Sequence, residues 1–156
     1  MNKTTAQNNP AEEIIRVESK QDFAWTVILR YRVFSIEQGV DPKYDFDDRE
    51  NQNVFYLVMK DGMPVGTACY RMVDGKAKID AMVVLKEFRK QGYATKLISR
   101  IHEDLKAQGI MDVYLDSMVQ AEKLYEGLGY KREGELFHLP AGGPHYKMVL
   151  SLNTQK

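Results

Sequence analysis

One cysteine, Cys69, occurs in 156 residues, so no internal disulfide can form. It lies in Val65-Gly66-Thr67-Ala68-Cys69-Tyr70, a strand-like run in which a buried, inert thiol is expected. No apolar stretch approaches the roughly 20 residues that span a bilayer, so no membrane partner is expected. Met1 to Pro10 is polar and lacks the apolar core of a secretory leader, and it reads as a flexible lead-in. The expected compartment is the cytoplasm. Lys plus Arg and Asp plus Glu number 22 each, giving a formal net charge of zero. A broad nucleic-acid surface needs a basic excess, so no nucleic-acid partner is expected. The three histidines, His102, His138 and His145, are dispersed and form no ligand spacing, so no metal is expected.

What is present suits a globular chain, with 44% hydrophobic and 28% charged residues. Residues 1–12 read as a flexible tail and residues 13–152 as a single domain. Ile14 to Val17 is a strand candidate. Phe23, Ala24, Val27, Ile28 and Tyr31 recur at helical spacing over Lys20 to Phe34, behind Ser19 as N-cap. Gly39 to Asn53 is a long acidic loop, and connections of that length are often functional. Three β-type runs follow, Val54–Met59, Val65–Val73 and Lys76–Val84. Asp61-Gly62 and Asp74-Gly75 separate them, so they form an antiparallel meander. Gly92 to Gln108 is an amphipathic helix stopped by Gly109. Beyond it come a strand over Ile110–Leu115, a short helix over Ala121–Leu128, and two strands over Tyr130–Phe137 and His145–Leu150. The class is α+β, a mostly antiparallel sheet covered by helices.

The turn Val84-Leu85-Lys86-Glu87-Phe88-Arg89-Lys90-Gln91-Gly92-Tyr93-Ala94 joins a strand to that amphipathic helix. A helix N-terminus offers unpaired N–H groups and a partial positive charge, and both suit phosphate oxygens. Gly92 and Ala94 allow close approach, while Arg89 and Lys90 add charge. It is neither a P-loop nor a Rossmann fingerprint, since the required glycines are missing. On these grounds alone it is an anion site of unstated identity or a solvated basic corner.

The run Arg89-x-x-Gly92-x-Ala94 resembles the R/Q-x-x-G-x-G/A signature of the GNAT acyltransferases. Leu124-Tyr125-Glu126-Gly127-Leu128-Gly129-Tyr130 is similar to their second common segment. Val33-Phe34-Ser35-Ile36-Glu37-Gln38 and Gly143-Pro144-His145-Tyr146-Lys147-Met148 resemble the V-F-x-x-E-Q and P-H-x-x-M segments of a bacterial subgroup. The resemblance implies the GNAT fold, a mixed sheet of about six or seven strands with a V-shaped opening between the fourth and fifth. It implies acetyl-CoA as co-substrate and an amine acceptor of an unidentified small molecule or peptide. Met82, Val83 and Val84 would pair with the pantetheine arm. Arg89, Lys90, Gln91, Gly92, Tyr93, Ala94 and Thr95 would surround the pyrophosphate.

The resemblance places Tyr125 as proton donor to the departing thiolate. Its blander role is packing the short helix on the sheet. Glu37 and Asp80 are the candidate bases, Glu37 preferred; otherwise Glu37 pairs with Arg30 or Arg32, and Asp80 faces solvent. His145, after Gly-Gly-Pro, is a candidate proton relay or acceptor contact, or a structural histidine at a strand start. The acidic residues of Gly39–Asn53 favour a cationic amine if that loop borders the opening. A homodimer is left open, because dimers are common in this fold. The rival from another class is a CoA-binding module without catalysis.

Overall fold

Two Asp-Gly turns organise the first half of the sheet. In the computed structural model, which describes residues 12–46, 52–140 and 142–154, Asp61 and Gly62 have φ of 50° and 81°, and Asp74 and Gly75 have 50° and 82°. Consecutive positive φ values define the tight hairpin turn whose twist matches the flanking strands. The turns join β2 (Val54–Lys60), β3 (Met63–Val73) and β4 (Lys76–Val84) as expected, and β1 (Glu12–Arg16) pairs antiparallel with β2. Residues 1–11 of the expected tail and residues 47–51 of the acidic loop lie outside the described residues, while Glu12, also assigned to the tail, begins β1. Pro42–Tyr44 of that loop forms one 3₁₀ turn.

From β4 the chain passes through α2 (Tyr93–Ala107) into β5 (Asp112–Met118), which runs parallel to β4. A helical crossover is the ordinary way to join parallel neighbours. Next come α3 (Glu122–Gly127), β6 (Lys131–Arg132), β7 (Phe137–Leu139) and β8 (Gly143–Ser151). The sheet has eight strands in the order β1-β2-β3-β4-β5-β8-β6, with β7 also pairing β8. That exceeds the expected six or seven because Tyr130–Phe137 is broken into two short strands, both borne by β8. Gly134, at φ 87°, sits in the break.

Strand alternation divides the buried residues between the two faces. Tyr56, Val58, Ala68, Tyr70, Ala77, Ile79, Val113, Leu115 and Met148 face α2, which contributes Tyr93, Leu97, Ile98, Ile101 and Leu105. Each large apolar side chain so buried contributes about 2 kcal/mol before ordering costs. Leu57, Val83 and Leu85 face the other way, onto Leu29 and Val33.

The first helix departs from its expected face. α1 (Lys20–Arg30) is capped by Ser19 Oγ, which accepts from the Asp22 N–H at 3.0 Å, as expected. Its buried residues, however, are Thr26, Leu29 and Arg30, while Ile28 and Tyr31 are 44% and 45% exposed. A buried arginine is tolerated because its cation lies over the Phe46 and Phe55 rings at 4.6 and 4.8 Å, with Asp45 at 3.6 Å. Periodicity could not anticipate a cation as a core residue. The helix then widens into a π-helical turn, Tyr31–Glu37, in which the Gln38 N–H reaches the Val33 carbonyl at 3.0 Å.

His102, on α2, is buried with Nε2 2.7 Å from the Tyr130 hydroxyl. Burial, with the Lys106 charge adding to it, lowers its pKa to about 4 from 6.5. The unfolded chain therefore binds a proton that the folded one refuses between those values, so stability falls as pH drops through that window. Chemical denaturation from pH 7 to 4.5 should show a loss on the order of 1 kcal/mol per pH unit below about 6.5 attributable to this group. His102→Gln should remove that component; an unchanged pH slope in the variant would contradict it.

Candidate active site

The opening begins where strand pairing stops. β4 and β5 are matched only at Ala77↔Val113 and Lys78↔Tyr114. Past that point β4 runs on through Asp80 to Val84 without a recorded partner on its β5 side. Cys69 pairs with Asp80 but Thr67 with Val83, so two residues, Ala81 and Met82, stand opposite Ala68. Ala81 takes φ 54° at this bulge. The extra residue shifts the alternation. Ala77 and Ile79 face α2, yet so do Met82 and Val84, while Val83 turns to α1. Met82, Val83 and Val84, expected to meet the arm of the donor, thus stand on the free edge of the separated strand.

A cavity of about 530 Å³ occupies the separation. Asp80 and Lys78 reach it from β4, Asp116 and Ser117 from β5, Tyr125 from α3 and His145 from β8. Phe34, Gln38, Val40, Tyr44 and Asp45 close it from the first helix and the acidic loop, and Leu139, Pro140 and Gly142 from the β7–β8 turn. Three of the four candidate catalytic residues therefore share one chamber: Tyr125, Asp80 and His145. The rival module without catalysis would be favoured were Tyr125, Glu37 and Asp80 all remote from the opening; Tyr125 and Asp80 line it.

Tyr125 is buried against Tyr130, their rings edge to face at 5.8 Å. Burial, and after it the charge of Asp80, pushes its phenol upward, so it remains a proton donor at neutral pH. Asp80 is 49% exposed, so its expected solvent-facing character holds, but it is also tied down. Its Oδ2 accepts from Arg71 at 3.2 Å and its Oδ1 from the Ala81 N–H at 3.0 Å. His145 Nδ1 is 2.7 Å from the Gly143 carbonyl, which can only accept; Nδ1 therefore carries the proton and Nε2 is the lone-pair nitrogen of the neutral ring. Phe137 stacks on the ring at 6.0 Å.

Glu37 is placed elsewhere. It is absent from the cavity wall and forms a two-pronged pair with Arg89, at 2.6 Å on each oxygen. The partner is neither Arg30 nor Arg32. The hydrogen bond from Arg89 holds the Glu37 carboxyl below its ordinary range. Arg89 Nε also donates to the Val84 carbonyl at 2.8 Å. The guanidinium is thus engaged by protein on three nitrogens, which leaves the turn's free backbone and Lys90 as the groups available to an anion. Lys90 and Gly92 take φ of 63° and 88°, and Gly92 caps α2. The first N–H bonded within the helix is that of Lys96, to the Gly92 carbonyl at 3.1 Å. The Tyr93, Ala94 and Thr95 N–H groups lie at the open end, as an anion site requires. Gln91 is held back, its side chain donating to the Glu87 carbonyl at 3.3 Å, and the Tyr93 ring is buried in the core.

The family model described as Acetyltransferase (GNAT) family matches residues 21–130. The chain belongs to the GNAT acetyltransferase family. A predicted acetyltransferase of Bacillus subtilis is 33% identical over 137 residues, covering 86% of this chain and 92% of that protein. The Bacillus subtilis protein named as the uncharacterized N-acetyltransferase YjcF is 31% identical over 121 residues, covering 78% and 86%. The crystal structure of a predicted N-acetyltransferase from Lactobacillus plantarum superposes with a TM-score of 0.84 at 22% identity, covering 92% and 99%. The protein is accordingly an acyltransferase with the GNAT fold, and the separated β4 and β5 are that fold's opening.

Lys78, Asp116 and Arg71 were not singled out by the sequence, and Gln38 entered only as the second residue of the E-Q segment. Lys78 and Asp116 form an ion pair at 3.2 Å across the last paired residues of β4 and β5. Each is one of several charges on its strand, beside Lys76 and Asp80 on β4 and Asp112 on β5, so nothing in the sequence marked the pair. At the turn, a Cβ on Gly92 would meet nothing within 4 Å, so only its backbone demands glycine. Gly92→Ala should therefore cost about 1 kcal/mol of stability, checked by urea denaturation. A neutral result would mean that the left-handed conformation is not held in solution.

Proposed function

We propose that this protein transfers an acetyl group from acetyl-CoA to a primary amine, with Tyr125 as proton donor and Asp80 taking the amine proton. The observation that carries this reading is the joint lining of one chamber by Tyr125, Asp80 and His145, where β4 leaves β5. The pantetheine arm lies along the free edge of Met82, Val83 and Val84. The pyrophosphate meets the N–H groups of Tyr93, Ala94 and Thr95 and the Lys90 charge.

The chemistry balances with these groups. Asp80 accepts a proton from the acceptor ammonium, through water where the carboxylate is too short to reach. The freed amine attacks the thioester carbonyl carbon, and the carbon–sulfur bond breaks as the amide forms. Tyr125 gives its proton to the departing sulfur and is restored from solvent. His145, with Nε2 as acceptor, receives the second amine proton and passes it to solvent. The carboxylates Asp45, Asp80 and Asp116 all stand on the wall, whereas of their cationic partners Arg30, Arg71 and Lys78 only Lys78 does. That balance, with the apolar Phe34, Tyr44 and Leu139, favours a cationic amine carrying an apolar group over a sugar phosphate.

Thiol release from acetyl-CoA across a panel of amines and aminosugar phosphates tests both parts. Cationic amines should react faster; preference for the phosphorylated acceptor would remove the substrate reading. Tyr125→Phe should lower turnover about 100-fold, the low end for general-acid assistance, with KM for acetyl-CoA almost unchanged. Unaltered turnover would rule out the role given to Tyr125. Asp80→Asn should lower turnover with KM for acetyl-CoA almost unchanged, and unaltered turnover would assign the base elsewhere.

A further inference from the structure

The Glu37–Arg89 pair is unlike the other ion pairs among the described residues in what it connects. Glu37 ends the π-helical turn, between Phe34 and Gln38, which both line the cavity. Arg89 opens the turn that leads to the Gly92 helix end, and its Nε is fixed to the Val84 carbonyl at the end of β4. One guanidinium therefore joins three elements: the acceptor-side wall, the free strand edge and the anion-binding turn. Its planar fork meets both carboxylate oxygens at 2.6 Å, a geometry that fixes orientation as well as distance.

The surrounding backbone explains why such a tie is needed. Lys90 and Gly92 both occupy left-handed φ, and for Lys90 that conformation is unfavourable. A turn holding unfavourable dihedrals persists only when its neighbours over-determine it. Arg89 is the residue directly before it. On the other side, a π-helical turn is an uncommon widening that places Glu37 at this spot rather than on the next face of α1.

We propose that Glu37 is a positioning residue: by clamping Arg89 it holds the pyrophosphate turn in its anion-binding shape and ties that turn to the acceptor wall. This rests on the acetyl-CoA reading of the site, and it replaces the role of base for Glu37. Arg89 acts through the backbone it fixes, and the phosphate oxygens are met by N–H groups and Lys90.

Glu37→Gln keeps the shape and removes the charge, so it is the informative change. Titration calorimetry with CoA should show a Kd about tenfold weaker for Glu37→Gln and for Arg89→Gln. The double variant should be no weaker than the weaker single one, because both remove the same clamp. Glu37→Asp, still charged, should lose less. With a reactive amine in hand, Glu37→Gln should raise KM for acetyl-CoA and leave kcat almost unchanged. Additive losses in the double variant would overturn the clamp, as would tighter CoA binding on removing the Glu37 charge. Wild-type CoA affinity combined with lost turnover would return Glu37 to the role of base. Failure of the underlying reading looks different, since the unaltered protein would then neither bind CoA nor release thiol.

Discussion

Two residue pairs hold β4 to β5, and the candidate site depends on their being only two. A parallel pair that continued past Lys78 and Tyr114 would close the sheet and bury the backbone of Asp80 to Val84 in hydrogen bonds. Ending the pairing there leaves that backbone edge free for a ligand, which makes a strand terminus into a binding surface. The Lys78–Asp116 ion pair sits at this point of divergence and joins the strands by side chains just as the main chain lets go. On the far side β5 is secured by seven matched residues of β8, so the separation is paid for by a firmly held outer wall.

The bulge at Ala81 does the complementary work within β4. Without the extra residue, Met82 and Val84 would face α1, and Val83 would enter the α2 core. With it, the strand presents Asp80 on one side and, two residues later, apolar side chains on that core. Tyr125 belongs to the α2-side cluster and Asp80 to the opposite face of the sheet. They line one cavity because the strands between them have parted. The proposed proton donor and proton acceptor, on opposite sides of a sheet, are thereby held apart and given a common substrate path.

The legible parts of the molecule are those written in short stretches. Asp-Gly turns, the Ser19 cap, the amphipathic period of α2 and the Gly92 turn each follow from a few neighbouring residues, and each lies where expected. The face of α1 was misjudged because Arg30 is buried through partners about 15 and 25 residues away, Asp45, Phe46 and Phe55. The strand over Tyr130–Phe137 was misjudged because Gly134 and β8 decide its pairing. For Glu37 the E-Q segment was noticed, but its partner lies 52 residues on, and no local pattern connects them.

The same division separates the two halves of the candidate site. Its donor half is built chiefly of backbone: a strand edge and a helix end, whose N–H groups are set by glycine, φ and capping. Such a site needs few particular side chains, so a short motif suffices to mark it. Its acceptor half is a wall of side chains from the first helix, the acidic loop, β4, β5 and the β7–β8 turn, with β4 and β5 contributing most of it. Each of these side chains can change alone without disturbing the sheet, so acceptor choice is free to vary on a constant donor site. Glu37 and Arg89 lie where the two halves meet. On the proposed reading, a charged pair at that boundary keeps a wall assembled from several elements in register with a turn that holds two left-handed residues.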